Sequence, residues 1–482
     1  MRVLLITPHF RDNATRWMPL GPCSIAGLLR TRRHEVRLFD RMVEHMNCRW
    51  NRDAVQRRMR DAIRTFQPDL IGLSAVSPAI FDTVECVRFI RDFYQGLMVA
   101  GGPHTTALPI LTLERMPGLD AVVVGEGEYP LLDLVECGRV ASFPGVARLN
   151  GRHRVLPRPA KIHNLDALPF PALEILDTNY YTERSTTVVR GFNRSCACLL
   201  GSRGCPNACS FCSESLAYGR GVVFHSPEYV VENIAQVVKD LGIDGIYFYD
   251  NDFLIDRARV ERICELILRN GLQRLVTWSI QARADRLEAN VLKLLREAGC
   301  VRLEIGIETT DQDALDRMQK DVRAEQNVRS IRMAQRYGIR VHAYLLGGFD
   351  GETVLDYERQ LRTIKRVRPD SVQWNEVKLY PGTSLYAERG EHYYETHDWT
   401  EENLTGFAAR SLLDPAAASV RRQWLQRRYH PYLKRRSRWS LLRNNGPAYA
   451  LVRARCRLRS SVVPRFRSIL SPAVRHGDRQ ET

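Results

Sequence analysis

Residues Gly201–Ser215 read GSRGCPNACSFCSES. Cys205, Cys209 and Cys212 stand in C-x3-C-x2-C spacing, with Phe211 immediately before the last. Thiolates are soft ligands that favour iron–sulfur clusters, zinc or copper. A structural zinc wants a fourth Cys or His at compatible spacing, and the nearest downstream histidine is His225. Three thiolates this close leave one iron of a [4Fe–4S] cubane without a protein ligand, open to a small molecule. Cys196 and Cys198 alternate ahead of the loop and read as strand positions.

Outward from this loop, apolar strands alternate with amphipathic helices. The strands fall near 196–204, 245–252, 276–283, 302–308, 341–348 and 371–380. Helical patterns at 230–241, 258–270 and 288–299 lie between them. About six β/α repeats predict a partial (β/α)6 barrel rather than a complete eightfold one.

Residues 1–150 have the same rhythm. RVLLITP, HEVRLFD, LIGLSAV, LMVAGG and AVVVGEG are strands separated by helical segments. They predict an α/β, doubly wound (Rossmann-like), mostly parallel sheet. Such sheets bind ligands beyond the C-terminal ends of their strands, here Pro8–Gly21, Ser74–Pro78, Gly101–His104 and Gly125–Glu128. Pro157, Pro159, Pro169 and Pro171 mark 151–190 as a linker. The expected domains are therefore 1–150, a linker 151–190, a barrel 191–390 and a helical, basic region 391–482.

The chain has 482 residues, 44% hydrophobic and 26% charged, which suits several soluble domains. It has no apolar run of membrane-spanning length, and its first residues read as a strand rather than a signal peptide. Twelve cysteines without regular pairing fit a reducing cytoplasm. From Arg421 onward there are 17 Lys and Arg against Asp478 and Glu481, a net of +15 out of +16 for the chain. That tail reads first as a solvated helical face.

The cysteine loop and its neighbours resemble the radical S-adenosylmethionine (SAM) superfamily. The resemblance implies that the open iron chelates SAM, which is cleaved to a 5′-deoxyadenosyl radical. It also implies SAM contacts from Phe211 and from YFYDNDF (Asp250, Asn251 and Asp252). Further contacts come from WSIQARAD (Gln281 and Arg283) and RLEIGIET (Glu304 and Glu308). LLGGFDGET and LYPGTSLY resemble the fifth and sixth strand ends. The Gly-Gly-Glu wording of the family's amine motif is absent.

PLGPCSIAGLL, PDLIGLSAVSP, VAGGPHTTALP and VVVGEGEYPLLDL resemble the cobalamin-binding domain of the class B branch of that superfamily. The implied cobalamin contacts are Ser74, Ser77, Gly101, Gly102, His104, Gly125, Glu126 and Gly127. A flavin or nucleotide in the same crevice is the alternative. The D-x-H-x-x-G fingerprint is missing, so the resemblance implies cobalamin with its own base displaced and no histidine ligand from the loop after the first strand. His104 is a loop residue that contacts the corrin edge or caps a helix or, secondarily, a cobalt ligand.

The expected activity is a radical SAM methyltransferase acting on an unactivated carbon, or a phosphinate phosphorus, of a small specialised metabolite, as in antibiotic biosynthesis. One SAM would methylate cobalamin and a second would supply the radical. The alternative is a non-methylating cobalamin-dependent oxidoreductase or cyclase. A third reading, RNA modification, would use Trp424, Tyr429, Tyr432 and Trp439 of the basic tail for stacking. A flavodoxin- or ferredoxin-like reductant is the expected partner, with no membrane and no nucleic acid. His9, Arg11, Trp17 and Tyr380 are candidates to face a shared cavity, and no general base is identified.

Overall fold

A computed structural model describes residues 1–10, 16–150, 153–349, 351–390, 392–400, 402–403, 415–432, 435–436, 440–441 and 443–445. Arg11, Trp439 and the tail beyond 445 lie outside the described residues.

The first sheet contains β1 (Arg2–Thr7), β2 (Glu35–Asp40), β3 (Leu70–Ser74), β4 (Leu97–Gly101), β5 (Ala121–Val123), β6 (Val146–Asn150) and β7 (His153–Val155). Its order is β2-β1-β3-β4-β5-β6-β7. The first five are parallel; β6 and β7 join antiparallel. Leu70–Leu73 are all buried, as expected of a parallel strand covered on both faces. β6 and β7 were not anticipated. They are short edge strands that extend the sheet into the expected linker, and edge strands carry little apolar periodicity.

The second sheet contains β8 (Cys196–Leu199), β11 (Gly245–Phe248), β12 (Thr277–Arg283), β13 (Cys300–Glu308), β14 (Arg340–Gly347) and β15 (Ser371–Glu376). Order β15-β14-β13-β12-β11-β8 and uniform parallel pairing make it the expected six-stranded partial barrel. Its helices carry ordinary stop and start chemistry. In Pro227–Leu241, Ser226 accepts from the Tyr229 amide at 3.2 Å, and Gly242 closes the end in the left-handed region. Val230, Val231, Ile234 and Val237 form the helix's buried stripe.

The run 196–204, read as one strand, is two. The chain leaves the barrel after Leu199 and forms β9 (Ser202–Cys205), which pairs antiparallel with β10 (Gly221–Phe224). This hairpin lies outside the barrel sheet and carries the cysteine loop.

The helix Pro415–Trp424 and the turn through Tyr429 pack on the barrel. Trp424 and Tyr429 are buried in its core, and Arg421 ion-pairs with Glu376 at the end of β15. Those two aromatics are committed to packing and are not free to stack on bases; Trp439, also named in the RNA reading, lies outside the described residues. No helix among the described residues is long and apolar enough to cross a membrane.

Candidate functional site

Cys205 ends β9, opposite Gly221 of β10. Cys209 and Cys212 follow in a loop pinned on both sides. The Ser210 amide donates to Met318 O at 2.9 Å, and Ser210 O accepts from the Leu385 amide at 3.0 Å. Phe211 packs edge-on toward Phe349, ring centroids 6.3 Å apart. All three cysteines are half-buried free thiols, and Asn207 Nδ2 lies 3.2 Å from Cys205 Sγ. Burial pushes the Cys212 thiol up to about 11. Burial also raises Cys209, against the pull of the Lys320 and Arg283 cations.

Sulfurs sharing one zinc stand about 3.8 Å apart, given Zn–S bonds near 2.3 Å. Among the described residues, the His/Cys/Asp/Glu group with ligand atoms all within 4.8 Å of one another is His9, His45 and Asp82, not the cysteines. The wider spread of the three sulfurs suits a polynuclear cluster. The His9 group is already filled by a cation, because Arg41 Nε and Nη2 reach Asp82 at 2.8 and 2.5 Å. His9 is thus held by Asp82 rather than facing the cavity as expected.

A cavity of about 760 Å³ opens between the C-terminal edge of the first sheet and the β9–β10 hairpin. All four strand-end segments anticipated from the sequence contribute to it, through Pro8, Ser74, Gly101 and Gly125 among others. An apolar slot from Leu5, Gly72, Val99 and Val123 runs along the sheet face. A polar rim comes from Ser24, Glu126 and Glu128. From the barrel side come Arg203, Glu214, Tyr249 and Asn251, and Trp17 lines the cavity as expected. An apolar slot with a few convergent polar groups fits a large, flat, amide-fringed ligand such as cobalamin.

Gly101, Gly102, Gly125 and Gly127 all line the cavity. Gly102 (φ 129°) and Gly125 (φ 87°) have backbone angles that side chains avoid. A Cβ there would meet Ala75 O at 2.6 Å or Ala160 O at 2.4 Å. These two glycines therefore also permit a close backbone-to-backbone approach behind the cavity wall that they help to form. Ser77 and His104 do not line the cavity. His104 is fully buried, bonded to Ser77 Oγ at 3.0 Å and walled by Tyr394 and Trp399. Burial alone lowers its pKa to about 3. Neither the corrin-edge nor the cobalt-ligand reading survives that placement. Tyr380 is not among the cavity-lining residues either.

In the barrel, Asn251 Nδ2 donates to Glu214 Oε2 at 3.0 Å, and both line the cavity. Asp250 and Asp252 turn away. Asp250 accepts from the Gly201 amide at 2.7 Å and Ser202 Oγ at 2.5 Å, and Asp252 pairs with Arg286 at 3.2 Å. Gln281 sits beside Glu304 in the β12–β13 register. Glu304 is buried in the barrel, bound by Arg190 at 3.0 Å and by the Tyr344 hydroxyl. Arg283 donates to Lys320 O at 2.8 Å and pairs with Asp285. Glu308 is closed off by Lys320 at 2.8 Å. Asp250, Asp252 and Glu308 are therefore fold-holding carboxylates rather than free contacts. Sequence reading missed Glu214, Glu128, Ser24 and Arg203. The first stands two residues past Cys212, and the second repeats the acidic position of GEGE.

Two family models match in this order: the B12 binding domain over residues 12–135 and the Radical SAM superfamily over residues 199–364. The chain thus carries a B12 binding domain followed by a Radical SAM domain. Its cofactors are a [4Fe–4S] cluster, SAM and cobalamin. An uncharacterised methyltransferase of Pyrococcus horikoshii is 29% identical over 397 residues, 80% of this chain and 82% of that one. The anaerobic magnesium-protoporphyrin IX monomethyl ester cyclase of Rubrivivax gelatinosus is 27% identical over 464 residues, covering 91% and 80%. Among solved structures, the radical SAM methyltransferase TsrM of Kitasatospora setae, with tryptophan and a SAM analogue bound, superposes with TM-score 0.66 at 19% identity. That match covers 82% of this chain and 77% of TsrM, and it is a likeness of fold.

Proposed function

We propose that this enzyme methylates an unactivated carbon, or a phosphinate phosphorus, of a small molecule held between the two sheets. The observation that carries this reading is the single cavity walled by both the cobalamin-side loops and the cluster hairpin. When bound, the cluster with SAM supplies a substrate-activating radical and cobalamin carries the methyl group. The chain's own part is to hold Cys205, Cys209 and Cys212 on a pinned loop, and to offer Asn251 and Glu214 where that loop meets the cavity. Gln281, Arg283 and Glu304 stand on the barrel strands outside the cavity lining and belong to the proposed SAM side of the site. Ser74, Gly101 and Glu126 border the corrin slot. The division near 150, 190 and 390 is part of this proposal, with β7 carrying the first sheet past the first of these limits. A flavodoxin- or ferredoxin-like donor in the cytoplasm would supply electrons.

The test is reconstitution with iron, sulfide, hydroxocobalamin, SAM and a low-potential reductant, followed by screening of small molecules. Methyl transfer requires S-adenosylhomocysteine and 5′-deoxyadenosine to rise together with a methylated product. Deoxyadenosine with every active substrate but no S-adenosylhomocysteine would replace this reading with oxidative ring formation. That second reading is favoured by the likeness to the cyclase over 91% of this chain.

A further inference from the structure

Arg203 stands on β9, two residues before Cys205. Its side chain leaves the hairpin and forks into the loop after β5. Nη1 lies 2.7 Å from Glu126 Oε1, and Nη2 lies 2.6 Å from Glu128 Oε1. Nη2 also reaches Ser24 Oγ at 3.3 Å, and that hydroxyl donates to Glu128 at 2.7 Å. The three charged side chains are 10%, 3% and 4% exposed. All four residues line the cavity. Glu126 is tied on its other side to the linker, where its Oε2 accepts from the Ile162 amide.

A guanidinium forked between two carboxylates is a directional contact, unlike an apolar interface that tolerates sliding. Buried ion networks cost desolvation, and a packed apolar patch would stabilise as well or better. What the fork provides is a fixed distance between the corrin-side loop and the first cluster cysteine. One guanidinium also leaves the pair of carboxylates with acceptor capacity facing the cavity, where the amide N–H groups on a corrin rim can donate.

We propose that Arg203 is a positioning residue that couples cobalamin occupancy to the cluster loop. Cobalamin contacts on Glu126 and Glu128 set the fork, and the fork sets Cys205. By linkage, cluster and SAM loading then changes cobalamin affinity by the same factor in return. This rests on the cofactor reading above, in which Cys205 is a cluster ligand and the loop after β5 borders cobalamin.

The experiment titrates hydroxocobalamin into full-length protein, cluster-free and cluster-loaded with SAM. In parallel, the electron paramagnetic resonance signal of the reduced cluster is recorded with and without cobalamin. The expected result is a cobalamin Kd that differs about tenfold between the two loadings, and a cluster signal that shifts on cobalamin addition. In Arg203→Gln or Glu128→Gln the difference falls below about twofold, the double variant is no worse than either single, and both cofactors still bind. Arg203→Lys keeps the charge but reaches one carboxylate, so it retains a partial difference even if the glutamine variant folds poorly. Wild-type protein whose two cofactors bind without influencing each other overturns the coupling. So do variants that keep the full difference. Failure of either cofactor to bind the wild type would instead overturn the cofactor reading.

Discussion

Removing the Lys320 charge tests how the cluster side of the barrel is held. Lys320 Nζ lies 2.8 Å from Glu308 Oε1, with the two side chains 9% and 11% exposed. Gly306 makes room for the pair. A Cβ there would meet Glu308 Oε1 at 2.6 Å and Lys320 Nζ at 2.9 Å. Lys320→Met keeps the length and packing but leaves Glu308 buried without its cation. Breaking a buried pair from one side costs about 3–5 kcal/mol. At a urea dependence of about 2–3 kcal/mol per molar, the unfolding midpoint falls by about 1–2.5 M. The assay is urea denaturation of the cluster-free chain by fluorescence, with the buried Trp278 of β12 as a barrel reporter. Adding Glu308→Gln removes the stranded charge and restores most of the loss. The Cys209 thiol, which the Lys320 cation pulls down, shifts upward in Lys320→Met, seen as an alkylation profile displaced to higher pH. Strict additivity of the two substitutions, or an unmoved midpoint in Lys320→Met, would refute the buried-pair account.

Cys209→Ala lowers bound iron after reconstitution from about four per chain to near none and removes the visible shoulder. Cobalamin still binds, with the affinity of cluster-free protein, as iron analysis and absorbance titration check. Gly125→Ala forces a side chain into φ 87° against Ala160 O at 2.4 Å. A cost of about 1–2 kcal/mol and weaker cobalamin binding are expected, and an unchanged Kd would contradict the role given to that backbone approach. His104 has a folded pKa lowered to about 3 by burial, against about 6.5 unfolded. Its contribution to stability is complete above about pH 6.5 and is lost as pH falls from there toward 3, reaching about 2 kcal/mol at pH 5. His104→Asn therefore flattens the acid side of the stability profile, and an acid slope equal to wild type would count against the burial argument.

The sequence by itself determined the cluster loop, the six barrel strands and the first parallel sheet. Each of these is local. The cysteines need only their spacing, and a buried parallel strand needs only an apolar run bounded by turns. The strand-end segments lining the cavity were legible for the same reason, since in such sheets the ligand edge follows from strand direction. Tertiary structure alone decided which polar residues face that edge. Asp250 and Asn251 are neighbours in sequence, yet one is consumed by Gly201 and Ser202 while the other reaches the cavity. His104, read chiefly as a loop residue, is a core residue because Tyr394 and Trp399, nearly 300 positions away in the chain, close over it. Arg203 gave no signal at all beside the cysteines, because its carboxylate partners lie 77 and 75 residues earlier. A side chain's partner is set by where distant segments pack, and one-dimensional spacing carries no record of that.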